Sequence, residues 1–282
     1  MNHVDLTGAV DMHCHFGMDT KRWAVDPISA AKEAAASGFR AIVLKSQTTP
    51  TAMLAWAVNE VVDDITVLGG ICCDHPMGGI NPDAVEVALR SGARIVWLPT
   101  LSSQTDVDNG LMFSFGRPEN RGLRIIDQDG NLLPQTREVI DMTHKAGAIV
   151  ATGHISPMEH RVLAEQYKGK ILVTHAMERR AGASLTLQQT VQLAQLGCFI
   201  EFSYAGCVAP EDATPVADIA AAVRAVGLSR CVLSTDLGLR NGMPKPVDGL
   251  HEFAEAMGKE GFSEDEIRTM VVTTPAELLG LQ

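Results

Sequence analysis

Eight short runs rich in β-branched residues recur along this chain at intervals of about 32 residues, each followed by a stretch with helical spacing. The runs are Ala9–Met12, Ala41–Leu44, Ile65–Ile71, Ile95–Leu98, Ala148–Thr152, Ile171–Thr174, Cys198–Phe202 and Cys231–Thr235. The spacing between them predicts helices over Pro27–Ser37, Pro50–Val62, Pro82–Ser91, Pro134–Ala146, Pro157–Gln166, Leu185–Leu196 and Pro215–Val226. Several open on proline, whose fixed φ suits a first turn, and Gly38, Gly92, Gly147, Gly197 and Gly227 stand where a helix must stop. Strand, helix, glycine is the repeating unit of βα folds, and eight strands is the count that closes a barrel. The predicted fold class is therefore α/β, a single (β/α)8 TIM-type barrel, and 282 residues are enough to build one. An open doubly wound sheet would carry a Gly-rich phosphate turn after its first strand. Here that place holds Asp11-Met-His-Cys-His15.

One interval is too long for a plain βα loop. Thr100–Leu133 contains Asp129-Gly130 between the apolar arms of Leu123–Leu133, which predicts a β-hairpin excursion after strand four, lying over the C-terminal mouth of the barrel. No linker or low-complexity stretch interrupts the rest, so one domain over 1–282 is expected, with its insertion at about 101–133.

A formal charge of −11, without long runs of one sign, argues against generic nucleic-acid binding, which needs a concentrated basic surface. Apolar stretches such as Ile42–Leu44 and Ile149–Val150 are too short to cross a bilayer, and Asp5 and Asp11 interrupt any export signal. The expectation is a cytoplasmic protein that acts on a small molecule, binds neither nucleic acid nor membrane, and is compatible with a homo-oligomer. Cys14, Cys72, Cys73, Cys198, Cys207 and Cys231 form no CxxC pair and read as reduced, mostly buried thiols.

His13 and His15 stand two apart at the end of the first strand, so strand periodicity sends both imidazoles to one face, where they can grip a metal ion. Asp11 shares their parity and is expected to accept a ring N–H, while Cys14 points the other way. His154 follows the fifth strand, His175 the sixth and Asp236 the eighth. Each has an ordinary alternative: a loop hydrogen bond for His154, packing for His175, a helix cap for Asp236. All five ending strands is a different matter. The C-terminal ends of barrel strands converge on one mouth, which would gather four imidazoles and a carboxylate around a divalent metal, zinc being the expected ion.

On these residues the chain resembles the amidohydrolase superfamily of metal-dependent hydrolases, from the His13-x-His15 signature to Thr273-Thr274-Pro275-Ala276-Glu277-Leu278-Leu279-Gly280-Leu281, which is similar to the family's closing helix. The resemblance implies that His13, His15 and Asp236 bind the more buried ion. It implies too that His154 and His175 bind a second ion or, with a single ion, divide between ligation and orienting water. Asp236 would also accept the proton of the attacking water, with His175 and Lys45 assisting catalysis. The chain departs from the family at strand four, where many members place a bridging Lys or Glu and this sequence reads Ile95-Val-Trp-Leu-Pro99-Thr100.

Lys45, at the end of strand two, is the nearest substitute for that bridge. It is expected to bind a substrate carboxylate or steady the transition state, with metal bridging after carboxylation, proton donation and simple exposure to solvent as the other readings. Arg179 and Arg240 are candidates to clamp an anionic substrate group, with Arg180, Asp74, His75, Glu201 and Tyr204 of lower rank. Glu201 reads as part of a polar network, and Trp97 and Phe113–Phe115 as a wall of apolar side chains. Three functions fit: hydrolysis of a small amide, cyclic amide or ester by metal-activated water; metal-dependent decarboxylation of a small carboxylated metabolite; and a metal-binding barrel without turnover.

Overall fold

Eight strands pair in sequence order, each parallel to the next: β1 (Val10–His15), β2 (Ala41–Lys45), β3 (Thr66–Cys72), β4 (Ile95–Trp97), β5 (Ile149–Ala151), β6 (Ile171–Val173), β7 (Phe199–Ser203) and β8 (Cys231–Ser234). The computed structural model describes residues 4–17, 24–111, 121–179, 181–210, 212–239 and 242–281. Beyond the end of β8 the chain returns to β1: Asp236 N–H donates to the His13 carbonyl at 2.7 Å and His15 N–H to the Leu237 carbonyl at 2.8 Å. These two bonds draw the sheet into a (β/α)8 barrel at its C-terminal mouth.

Every predicted strand forms. The predicted helices form too, with ends trimmed by up to three residues, as at Pro27–Ala36, Ala52–Asn59 and Pro82–Arg90. Their starts follow side-chain chemistry: Asp26 accepts Ser29 N–H, Asn81 accepts Asp83 N–H, and Ser156 with Glu159 builds a reciprocal capping box. Alternation along the strands divides the core. Ala41, Val43, Ile95, Trp97, Ile149, Ala151, Leu172 and Val232 fill the barrel, and the closing helix Thr274–Leu279 contributes Ala276, Leu278 and Leu279 to the same cluster. Ile42, Leu44, Val150, Ile200, Phe202 and Leu233 face the outer helices instead. Among the described residues no helix is long and apolar enough to cross a membrane.

The excursion after β4 departs from expectation. Its described part holds a short helix, Gln104–Asp108, and a single antiparallel bridge between Ile126 and Leu132 rather than a two-stranded ladder. The cause is local: the Asp127 carboxylate accepts the N–H groups of both Asp129 and Asn131, which curls the chain into a closed turn before a ladder can grow. Residues 112–120, including the Phe113–Phe115 segment, lie outside the described residues.

Buried His160, on the helix Pro157–Gln166, carries a pH-dependent part of the stability. Its Nδ1–H donates to the Ser156 carbonyl and its Nε2 accepts from the Thr152 hydroxyl, both at 2.9 Å. Burial pulls its pKa down to about 4. The unfolded chain takes up a proton near 6.5, so the stability this residue contributes is present above that pH and is lost as pH falls toward 4. Between pH 7 and pH 5 the loss from this residue is about 2 kcal/mol. Urea unfolding at the two pH values is expected to show a smaller drop for His160→Gln than for the parent; equal drops would refute the assignment.

Candidate active site

The first strand is irregular where it matters. Asp11 pairs with Ile42, but Cys14 pairs with Leu44, so β1 holds one extra residue between those points. Strict alternation would send Cys14 to the barrel interior with Val10 and Met12; instead Cys14 lies in the outer core. The slip turns His13 and His15 inward. It also separates them from Asp11, which corrects the expected Asp11–imidazole bond. The Asp11 carboxylate accepts Thr235 N–H at 3.1 Å, His13 N–H at 3.2 Å and the Thr235 hydroxyl at 2.5 Å, tying β1 to the segment after β8. Burial pushes its pKa up to about 6.

Glu201 takes the place expected for Asp11. It stands on β7 between Phe199 and Ser203 with the opposite parity to Ile200 and Phe202, so it faces inward. Both of its carboxylate oxygens lie 3.2 Å from His13 Nδ1; one also accepts the Ser234 hydroxyl at 2.7 Å and the other the His175 N–H at 3.3 Å. A carboxylate at Nδ1 leaves Nε2 as the working nitrogen of His13. That Nε2 and the Nε2 of His15 both lie 2.9 Å from the same oxygen of Asp236. Ligands held about 2.0–2.2 Å from one ion at right or tetrahedral angles stand about 2.9–3.5 Å apart. Two imidazole nitrogens and a half-buried carboxylate oxygen at this separation are a donor set that fits a divalent cation.

His175 and His154 extend the cluster. Ring centroids run 5.5 Å from His15 to His13, 5.9 Å from His13 to His175 and 4.7 Å from His175 to His154. The Nε2 atoms of the last pair are 3.0 Å apart, and His154 Nδ1 is 2.5 Å from the Asp106 carboxylate. Two of these groups sit on unusual backbone: His175 has φ 31° and Asp236 φ 51°, in the left-handed region that side chains other than glycine seldom enter. Each such residue costs about 1–3 kcal/mol and persists only where its surroundings hold it. Here the holders are Glu201 at the His175 N–H and the His13 carbonyl at the Asp236 N–H.

The electrostatics separate the imidazoles. Burial disfavours a charged His13, yet the carboxylates of Asp236 and Glu201 outweigh it and hold its pKa up to about 9. At His15 burial wins and the pKa falls to about 4; His175 is driven well below the ordinary histidine value by burial and by His154. Asp236 is opposed by burial but held well below the usual carboxylate range by His13 and His15. The cluster thus keeps Asp236 ionised and His15 and His175 neutral, as ligands must be, while without an ion it holds His13 protonated, so a cation at Nε2 would have to displace that proton.

Lys45 is 2% exposed, which removes the solvent-facing reading. Following Ala41 and Val43 into the interior, it places Nζ 2.8 Å from His13 Nε2 and 5.4 Å over the Trp97 ring. Arg179 is 45% exposed on its side chain and forms ion pairs with Asp218 at 3.3 Å and Asp212 at 3.7 Å, so the guanidinium expected at the substrate stands in a surface network. Arg240 and Arg180 lie outside the described residues. Of the lower-ranked groups, Asp74 accepts Thr100 N–H, Ser102 N–H and the Thr100 hydroxyl, pinning the start of the excursion, and the Tyr204 hydroxyl donates to Glu252 at 3.1 Å.

Sequence reasoning missed two carboxylates. Asp106 is fully buried, and its other oxygen accepts Gly182 N–H at 3.2 Å. The available signal was Ser103-x-x-Asp106, a helix start inside the excursion. Glu178 lies three residues after His175, and burial, with the charge of Asp236, pushes its pKa up to about 8. One ligand atom each from His175, Glu178 and Asp236 lies within 4.8 Å of the others, as is also true of His13, His15 and Asp236.

A model of a family of unknown function (DUF6282) matches residues 8–201. No curated protein matches the sequence. Among solved structures, an amidohydrolase from Pseudomonas aeruginosa superposes with a TM-score of 0.63 at 13% identity, covering 98% of this chain and 96% of that one. A β-aspartyl dipeptidase from Fervidobacterium islandicum gives 0.62 at 16% identity, over 96% of this chain and 72% of its own. An organophosphate-hydrolysing protein engineered from a lactonase template gives 0.61 at 15%, over 99% and 97%. At these identities the likeness is one of fold alone.

Proposed function

The chain belongs to the family of unknown function DUF6282, and from its site we infer that it is a metal-dependent hydrolase acting on a small-molecule amide, cyclic amide or ester. The observation that carries this reading is the convergence of His13 Nε2 and His15 Nε2 on one Asp236 oxygen at the barrel mouth. A divalent ion there, zinc by its fit to nitrogen and oxygen donors, would polarise a carbonyl and bring the pKa of water to about 7.

The protein's own groups then have defined tasks. Asp236, ionised and half-buried, accepts the proton of the attacking water. Glu201 fixes the orientation of His13. Asp106 does the same for His154, whose far nitrogen reaches the cluster and can pass a proton to the leaving group. Lys45, beside His13, offsets negative charge on a substrate carboxylate or on the oxygen that becomes anionic. Trp97, buried on β4, lies 6.1 Å ring to ring from His13 at the strand where many members of the resembled family carry a bridging group.

Metal analysis after purification without chelator is the first test. The parent is expected to hold at least one ion per chain, and His13→Ala and His15→Ala to lose it, at least tenfold in occupancy. Parent protein free of divalent metal after reconstitution would end this reading. The buried Lys45 side chain beside His13 also favours a second chemistry, decarboxylation of a small carboxylate. Amine or acid release from amides and esters supports hydrolysis; carbon dioxide release from carboxylates supports the alternative.

A further inference from the structure

We propose that the helix Ala52–Asn59 is the centre of a two-fold interface, on which a second copy of this chain docks with its own Ala52–Asn59 helix running antiparallel. The surface lies on the outside of the barrel, apart from the metal site.

The outer helices of a barrel bury one stripe against the sheet and turn polar side chains to water. This one does not. Ala52, Ala55 and Val58 pack inward on β3, and the opposite face carries Met53, Leu54, Trp56 and Ala57, with Val61 just beyond the end of the helix. Met53 is 61% exposed, and Trp56 and Val61 are each 58% exposed. From Ser46 to Asn59 the sequence holds no charged residue. The helix Leu187–Gln195, which is also uncharged, turns Gln188, Gln192 and Gln195 outward instead. A helix that is apolar on both faces is one that is covered.

The face is held rigidly. Asn59 Nδ2–H donates to the Val67 carbonyl and Asn59 Oδ1 accepts Val67 N–H, both at 2.8 Å, while the Thr51 hydroxyl donates to the Leu44 carbonyl at 2.7 Å. Gly69 lets the start of the helix lie directly on β3: a Cβ there would stand 2.5 Å from Ala52 N. A surface fixed in this way docks without the cost of reordering.

Three features select a second copy as the occupant. The first is size. The five apolar side chains expose on the order of 500 Å², the non-polar share of an interface of about 800 Å² per partner, which is what a stable dimer buries. The second is self-complementarity: a two-fold axis near Trp56 and Ala57 sets the indole of each copy over the small Ala57 of the other. The third is charge. Each chain carries −11, so two copies repel wherever acidic surfaces meet, and this uncharged patch lets them approach. The ends of the helix match as well. Its N-terminus has no side-chain cap and no acid in the first turn, while Glu60 closes its C-terminus and Asp63 and Asp64 follow. Antiparallel packing brings the acids of one copy to the positive end of the other's helix. Those acids, with no Lys or Arg on the face, disfavour an anionic membrane as the occupant.

The test is sedimentation equilibrium of the full-length protein over about 1–50 µM, where an interface of this size is populated. The parent should sediment at twice 30.2 kDa. Trp56→Glu, at an exposed position, should raise the dimer Kd about 100-fold or more, because a two-fold contact carries the change twice. Met158→Glu, 61% exposed on the helix Pro157–Gln166, should leave the Kd unchanged. Mild oxidation should cross-link Ala57→Cys into a disulfide-bonded dimer and leave Met158→Cys single. Circular dichroism checks folding, and the cross-link reads the interface should Trp56→Glu fail to fold. A monomeric parent overturns the proposal, and a monomer that binds phosphatidylcholine vesicles through Trp56 assigns the face to a membrane instead. A dimer that survives a folded Trp56→Glu, or that Met158→Glu breaks equally, overturns it too, as does a dimer in which Ala57→Cys does not cross-link.

Discussion

Asp236→Asn is expected to lower kcat/KM by about 10³-fold or more, measured with metal in excess so that occupancy is not limiting. The substitution keeps the shape of the side chain and one oxygen. It removes the negative charge that His13 Nε2 and His15 Nε2 both approach at 2.9 Å, and with it the group able to take a proton from water. The direction of the pKa shift matters. Burial alone would push Asp236 up, but His13 and His15 hold it well below the usual carboxylate range, so it is ionised and ready across neutral pH. The amide can neither accept that proton nor balance the positive charge of the imidazoles and an ion. The metal-binding barrel without turnover, the third function compatible with the sequence, forecasts bound metal and no rate to lose. Retention of parental kcat/KM within tenfold in Asp236→Asn would remove Asp236 from the chemistry.

The largest effect on stability is expected at a residue without a side chain. Gly238 has φ 104°, and a Cβ added there would overlap the carbonyl oxygen of His15. Neither partner has room to yield, because the clash falls on backbone at the seam where His15 N–H bonds the Leu237 carbonyl at 2.8 Å. Gly238→Ala therefore combines an unfavourable dihedral with a backbone overlap. The expected loss is about 4 kcal/mol or more, seen as a fall in melting temperature of about 8 °C or more for a chain of this size. The damage is also functional, since the carbonyl that must move belongs to a proposed metal ligand. A melting temperature within 2 °C of the parent would show that the seam can shift without cost, and would weaken the case that His15 is rigidly placed.

The strand ends were legible because βα periodicity is a local property, written in each repeat. The same is true of the helix starts, set by Asp26, Asn81 and Ser156 within a few residues of the helices they open. Lys45 follows the alternation of Ala41 and Val43 inward, so its direction could be counted along the strand. Glu201 could be given a network role, but its face was uncertain by one residue, and only the pairing of β7 with β8 settles it. The excursion was recognised by its length. Its hairpin shrank to one bridge because Asp127 found a closer use for its carboxylate than a ladder could offer.

The sequence by itself determined an eight-stranded parallel barrel with His13, His15, His154, His175 and Asp236 at strand ends, because hydrophobic periodicity and chain direction are enough to send those ends to one mouth. What only the tertiary structure decided was which partners they meet there. A one-residue slip in β1 sent Asp11 away from the imidazoles it was expected to serve, and Glu201 took its place from β7, two strands round the barrel. A loop inserted after β4 delivered Asp106 to His154, and a turn after β6 brought Glu178 to Asp236. Strand periodicity fixes direction modulo one residue, so a single bulge reverses it. Contacts between segments a hundred residues apart have no local pattern to announce them.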